Sequence, residues 1–92
     1  MYKITSRQKK IAKFLKVDIL PSTNENKKID VYKNGIKIVS IGASGYKDYS
    51  IYLKEYGKEY ANERQRLYKL RHAQDIKKKG SPGYYAYLIL WS

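Results

Sequence analysis

The sequence predicts an α+β fold, a three-stranded antiparallel sheet packed against C-terminal helices. Three observations predict it. An Asn34-Gly35 pair lies between two alternating runs, apolar spacing changes from two to three and four after Asp48, and Gly80-Ser81-Pro82 punctuates the helical half near its end. Ninety-two residues leave room for one domain, 1–92. It divides into a basic N-terminal arm (1–13), the sheet (14–42) and a helical part (48–91).

The arm sets Arg7, Lys9, Lys10 and Lys13 around Ile4 and Ile11, a loose pattern compatible with an extended arm or a short helix. Leu15, Val17 and Ile19 then alternate, which predicts a first strand closed by Pro21 and the polar run Ser22–Asn26. Residues 28–33 and 36–41 alternate on either side of Asn34-Gly35. That pair predicts a hairpin, because a type I′ turn needs positive φ at both central residues. Lys16, Lys28, Lys33 and Lys37 are expected at exposed or edge positions of the sheet. Gly42-Ala43-Ser44-Gly45 contains half of a phosphate-cradling glycine pattern, but it lacks the third glycine and any Lys-Ser or Lys-Thr pair. A turn out of the sheet is the better reading.

Tyr49, Tyr52, Leu53, Tyr56 and Tyr60 fall at spacings of three and four, which predicts a helix with an aromatic face. Gly57 interrupts it, and a second helix is expected over residues 58–79 with a stripe of Tyr60, Leu67, Leu70, Ala73 and Ile76. Glu59 and Glu63 early and Lys77, Lys78 and Lys79 late suit the helix dipole. Gly80 stops this helix, while Ser81 and Pro82 are an N-cap and a first-turn residue for a last one. Tyr84, Leu88 and Trp91, at i, i+4 and i+7, agree with a helix there, although the residue types alone would also suit a strand.

Charge governs the functional reading. The chain carries 20 Lys and Arg against 8 Asp and Glu, a formal net charge of +12. Such a field attracts nucleic acid, anionic lipid or an acidic protein surface. No cysteine is present, so disulfides and thiolate zinc sites are excluded. No apolar run has the roughly 20 residues that a membrane span needs, and a cytosolic or virion-packaged protein is expected. The acids are scattered, with only Glu55, Glu59 and Glu63 at a shared spacing, and no carboxylate pair is set for acid–base work. His72 is the only histidine, with no second imidazole or thiol to share a metal, and a packed or capping role suits it better. No enzymatic activity, metal or cofactor is expected.

The candidate nucleic-acid-binding residues lie chiefly on the long helix: Arg64, Arg66, Tyr68, Lys69, Arg71 and His72. Arg64, Tyr68, Arg71 and His72 recur at helical spacing, and guanidinium groups beside an aromatic ring suit phosphate and base contacts. A solvated helix face, with Tyr68 packed on the sheet and Arg64 paired to a nearby carboxylate, is the competing reading. Lys9 and Lys10 on the arm, with Lys33 and Lys37 on the sheet, complete the set.

The run Gly42-Ala43-Ser44-Gly45-Tyr46-Lys47-Asp48-Tyr49, the helix segment Glu63-Arg64 through Tyr68 to Arg71-His72, and the closing Leu90-Trp91 resemble a family of small basic proteins. Its members are encoded by large nucleocytoplasmic DNA viruses of algae and amoebae. The shared pattern maps to residues 42–49, 64–72 and 90–91. Two departures stand out: the C-terminal segment is rich in tyrosine rather than tryptophan, and the basic arm at 1–13 lies outside the pattern. The resemblance implies a viral origin and a place in or near the virion, and it supplies no mechanism. The partner expected is nucleic acid, DNA before RNA, bound without sequence specificity; the alternative is a minor capsid or cement protein on an acidic capsid surface.

Overall fold

The computed structural model describes residues 2–92. The fold is α+β, with one three-stranded antiparallel sheet and helices mostly C-terminal to it. The chain divides into two compact units, residues 1–46 and 47–92.

In the first unit, α1 (Ser6–Phe14) precedes β1 (Asp18–Pro21), β2 (Lys27–Lys33) and β3 (Ile36–Ala43). Of the two readings open for the arm, the helix is the one adopted. Thr5 caps it through a reciprocal box: its hydroxyl accepts from the Gln8 amide, and the Gln8 side chain accepts from the Thr5 amide. This helix takes Phe14, and Leu15 caps it, so the first strand starts at Asp18 rather than at residue 14. Lys16 follows in the left-handed region, with φ 61°. The amide of Val17 donates to the Ala12 carbonyl and that of Lys16 to the Lys13 carbonyl, the paired bonds of a Schellman stop. Ala12 and Val17 are both buried, which supplies the apolar contact of that motif.

The strands lie in the order β1-β2-β3, with Ile19 opposite Val31 and Ile29 opposite Ile41. Asn34 and Gly35 both have positive φ, 54° and 78°, as the hairpin requires. A bulge between Val31 and Tyr32 disturbs the register, since Val31 faces Val39 while Tyr32 faces Lys37. Beyond it Ile36 and Ile38 are exposed. Ile29, Val31 and Ile41 form the buried apolar face. Lys28 departs from the expected exposed position: it is only 6% exposed, because β2 is the central strand and both of its faces are covered. Its ammonium lies 5.5 Å from the centre of the Tyr2 ring. Lys16 departs too, sitting in the turn before β1 rather than on the sheet.

In the second unit, α2 (Tyr49–Tyr56), α3 (Lys58–Arg71), α4 (Ala73–Lys77) and α5 (Pro82–Leu90) follow one another. Asp48 caps α2 by accepting from the Ile51 amide, and Gly57, at φ 93°, separates α2 from α3. The single helix expected over 58–79 is instead two, broken at His72, whose φ and ψ leave the helical region. Its apolar stripe fails at Tyr60, Leu70 and Ala73, all exposed, while Ala61 is the buried residue of α3. The last helix forms as expected, with the Ser81 hydroxyl accepting from the Tyr84 amide and Pro82 in the first turn. Its buried face is Tyr85, Ile89 and Leu90. No helix among the described residues is long and apolar enough to cross a membrane.

Candidate functional site

The predicted α3 patch is largely engaged within its own unit. Tyr68 lies against two rings. The indole of Trp91 is nearly parallel to it at 4.5 Å, and the His72 ring is 4.3 Å away with a 33° tilt. Two rings that close cannot share one face, so both faces of Tyr68 are covered. Burial, with a smaller effect of the Asp75 charge, raises the phenol pKa and keeps it neutral. His72 caps the end of α3, with Nδ1 3.7 Å from the Asp75 carboxylate.

The same row continues through α2. Trp91 meets Tyr52 at 6.0 Å, Tyr52 meets Tyr60 at 5.6 Å, and Tyr60 meets Tyr56 at 4.7 Å. Tyr56 and Tyr60 form its exposed end. Cations decorate it. Arg64 lies over Tyr52 at 5.4 Å, and Lys47 over Tyr56 at 4.8 Å. The Lys47 ammonium also donates to Glu55 at 2.6 Å and to the Tyr56 hydroxyl at 3.1 Å, and these hydrogen bonds, Glu55 first, raise its pKa.

Arg64 and Arg66 are therefore not equivalent to the outward cations of α3. Arg66 makes two hydrogen bonds to the Glu63 carboxylate, at 2.6 and 3.1 Å, which lower the Glu63 pKa and raise that of Arg66. Arg64 is half-buried, with its Nε enclosed and without a hydrogen-bond partner. Lys69 is exposed, 5.9 Å from the Tyr87 ring, and Arg71 is exposed at the end of the helix. The compact set Arg64, Tyr68, Arg71 and His72 thus resolves into a closed Tyr68–His72 pair, an Arg64 turned to Tyr52, and an outward Arg71.

In the first unit, Lys9 and Lys10 are exposed on α1, Lys33 at the end of β2 and Lys37 on β3. Lys9 alone of these lines an open groove of about 740 Å³, in which Lys13, Lys16 and Tyr32 join it. In the sequence Lys13 reads as part of the basic arm and Lys16 as an exposed or edge position of the sheet, but none of the three is among the candidate binding residues. Thr5-x-x-Gln8 would have signalled the helix that puts Lys9 and Lys13 on one face.

The loop after β3 is a turn. The Ser44 hydroxyl donates to the Glu25 carbonyl at 2.6 Å and the Ser44 amide to the Asn26 carbonyl at 3.0 Å. Gly42 and Gly45 take the positive φ values, 78° and 87°. The Ser44 and Tyr46 amides, which a phosphate loop would turn toward its ligand, are spent on carbonyls.

Residues 17–52 are similar to a family of unknown function, DUF5754. The DUF5754 segment spans the whole sheet, the Gly42–Tyr46 turn and the first residues of α2. It includes Lys33 and Lys37 and leaves out Lys9, Lys10 and all of α3. No curated protein and no solved structure matches the chain.

Proposed function

We propose that the protein binds nucleic acid, DNA before RNA, through its charge and without sequence specificity, in a non-catalytic role. The observation that carries this reading is the mismatch between exposed cations and acids. Lys9, Lys10, Lys33, Lys37, Lys69 and Arg71 are exposed and form no ion pair with the described residues. The Lys37 charge acts on the buried Asp30 carboxylate; the other cations, without an ion pair, keep their hydration and their field, and phosphates can replace the missing acids. The exposed end of the aromatic row at Tyr56 and Tyr60 adds surface on which bases can stack. Packaging with a viral genome is the setting implied by the resemblance of residues 42–49, 64–72 and 90–91.

Fluorescence anisotropy against salt tests it, using a duplex of about 25 base pairs, the matching single strand and heparin. Each phosphate contacted should contribute about −0.9 to the duplex salt slope, and Lys69→Gln/Arg71→Gln should flatten it by about one per residue. An unchanged slope would remove α3 from the interface. Binding to all three ligands that is equal and erased at physiological salt would sink the reading.

That outcome would favour a minor capsid or cement protein seated on an acidic capsid surface. The apolar residues left in solvent on the first unit support this second reading, with Phe14 86% and Ile36 69% exposed. It is tested by a stoichiometric complex with a capsid protein that survives physiological salt.

A further inference from the structure

The groove between α1 and β1 combines a set of lysines with apolar residues. Lys9 and Lys13 stand one helical turn apart on α1, and Lys16 lies just past its end. All three are exposed and form no ion pair with the described residues. Asp18 is the single acid on the lining. Apolar residues line it as well, the exposed Leu20 and half-buried Ile19 beside the buried Val17, and Tyr32 adds a half-buried ring.

A bare polyanion would have no use for the apolar wall, and an apolar ligand none for the lysines. A nucleotide in a single strand has both parts, an anionic phosphate and a base with a free π-face. In a duplex the base faces are stacked on one another and cannot reach such a wall. Lys16 strengthens the case. The Schellman stop puts it at φ 61°, where glycine is the unstrained residue, and the lysine side chain lines the groove.

We propose that this groove is a binding site for single-stranded nucleic acid, with phosphates on Lys9, Lys13 and Lys16 and a base against Tyr32. The site rests on the nucleic-acid reading above and refines it, adding a strand preference that the charge alone does not give.

The test uses the full chain and a fluorescein-labelled oligothymidylate, with a duplex as second ligand. Lys9→Gln/Lys13→Gln/Lys16→Gln is compared with Lys77→Gln/Lys78→Gln/Lys79→Gln, which removes the same charge elsewhere, after circular dichroism has shown both to be folded. The groove variant should lose at least about tenfold more single-strand affinity than the control. Tyr32→Leu should lose about 5- to 100-fold for the single strand and leave the duplex unchanged, with Tyr32→Phe restoring the loss. Equal losses from the two triple variants, or a Tyr32→Leu chain that binds as tightly as the parent, would overturn the groove site and leave the general reading standing. Competition by tripolyphosphate as effective as that by the oligonucleotide would show a polyanion site only, and would overturn the base contact. Failure of the parent chain to bind either nucleic acid would remove both proposals.

Discussion

The indole of Trp91 lies against the phenol of Tyr68, 4.5 Å between centroids and 13° from parallel. This contact ties the last residues of the chain to the last turn of α3, and the Gln65 side chain reinforces it by donating to the Trp91 carbonyl. The sequence placed Tyr68 among the ligand-binding residues and Trp91 at an apolar end. The structure joins the two as one packing unit.

The first prediction follows from that stack. Trp91→Ala should destabilise the protein by about 2 kcal/mol or more, from lost buried area and lost ring contact. Trp91→Phe should recover part of it. Urea unfolding followed by circular dichroism measures both. Because the faces of Tyr68 are already covered, Tyr68→Ala should also lower stability, while leaving the salt slope of nucleic-acid binding unchanged. A flattened slope in a folded Tyr68→Ala chain would contradict the closed stack.

Asp30 carries the second. It is 1% exposed and accepts from Ser22 Oγ at 2.7 Å, Ser40 Oγ at 2.6 Å and the Thr23 amide at 3.3 Å. These donors come from the two residues that follow β1 and from β3, so one carboxylate on the central strand holds the chain on both sides of it. Burial acts to raise its pKa; the hydrogen bonds from Ser40, Ser22 and Thr23, with the Lys37 charge, outweigh burial and hold it below the ordinary value. A depressed folded pKa means stability that is present above the unfolded value of about 3.9 and is lost as pH falls through the folded one. Asp30→Asn should therefore cost about 1–3 kcal/mol at neutral pH and flatten the acid limb of stability below about pH 4. Urea midpoints across that range give the answer, and an unaltered acid limb would place the titrating group elsewhere.

The third concerns Gly83 in α5. A Cβ built there would sit 2.6 Å from the Asp75 Cβ and 3.3 Å from the Asp75 backbone carbonyl, at the contact of α4 with α5. Alanine is ordinarily favoured over glycine in a helix, by up to about 1 kcal/mol in its interior, and Gly83 is the second residue of α5. Here the sign should reverse, with Gly83→Ala lowering stability by about 1–3 kcal/mol through overpacking against backbone that cannot step aside. A thermal midpoint at or above that of the parent would show that α4 is free to move away from α5.

What was legible in the sequence is what depends on near neighbours. Asn34-Gly35 announces its turn because two positive φ values are a local demand, and Ser81-Pro82 announces a helix start for the same kind of reason. The break at His72 carries no glycine or proline to mark it. Periodicity also carried the long helix past the point where Leu70 turns to solvent. The cationic α3 residues were legible as types but not as environments. Whether Arg66 is offered to a ligand or spent on Glu63 is decided by rotamers, and whether Tyr68 is open or closed is decided by Trp91, far along the chain. The groove needs α1 beside β1, a pairing that no local pattern states.

Lys16 supplies the last prediction, in which stability and binding should move in opposite directions. At φ 61° an L-residue other than glycine is strained by about 1–2 kcal/mol, because its Cβ crowds the backbone carbonyl. Glycine relieves the crowding but loses more chain entropy on folding, so Lys16→Gly should gain a net of up to about 1 kcal/mol. The same change removes one of the three lysines of the groove, and single-strand affinity should fall, with a salt slope shallower by about 0.7. Lys16→Asn separates the effects, since asparagine tolerates this conformation better than lysine and also lacks the charge. A chain made more stable yet weaker in binding by both substitutions would mean that the strain is carried by a working side chain. A chain made more stable with binding unchanged would mean that the lysine only sits there, and that the groove lies outside the interface.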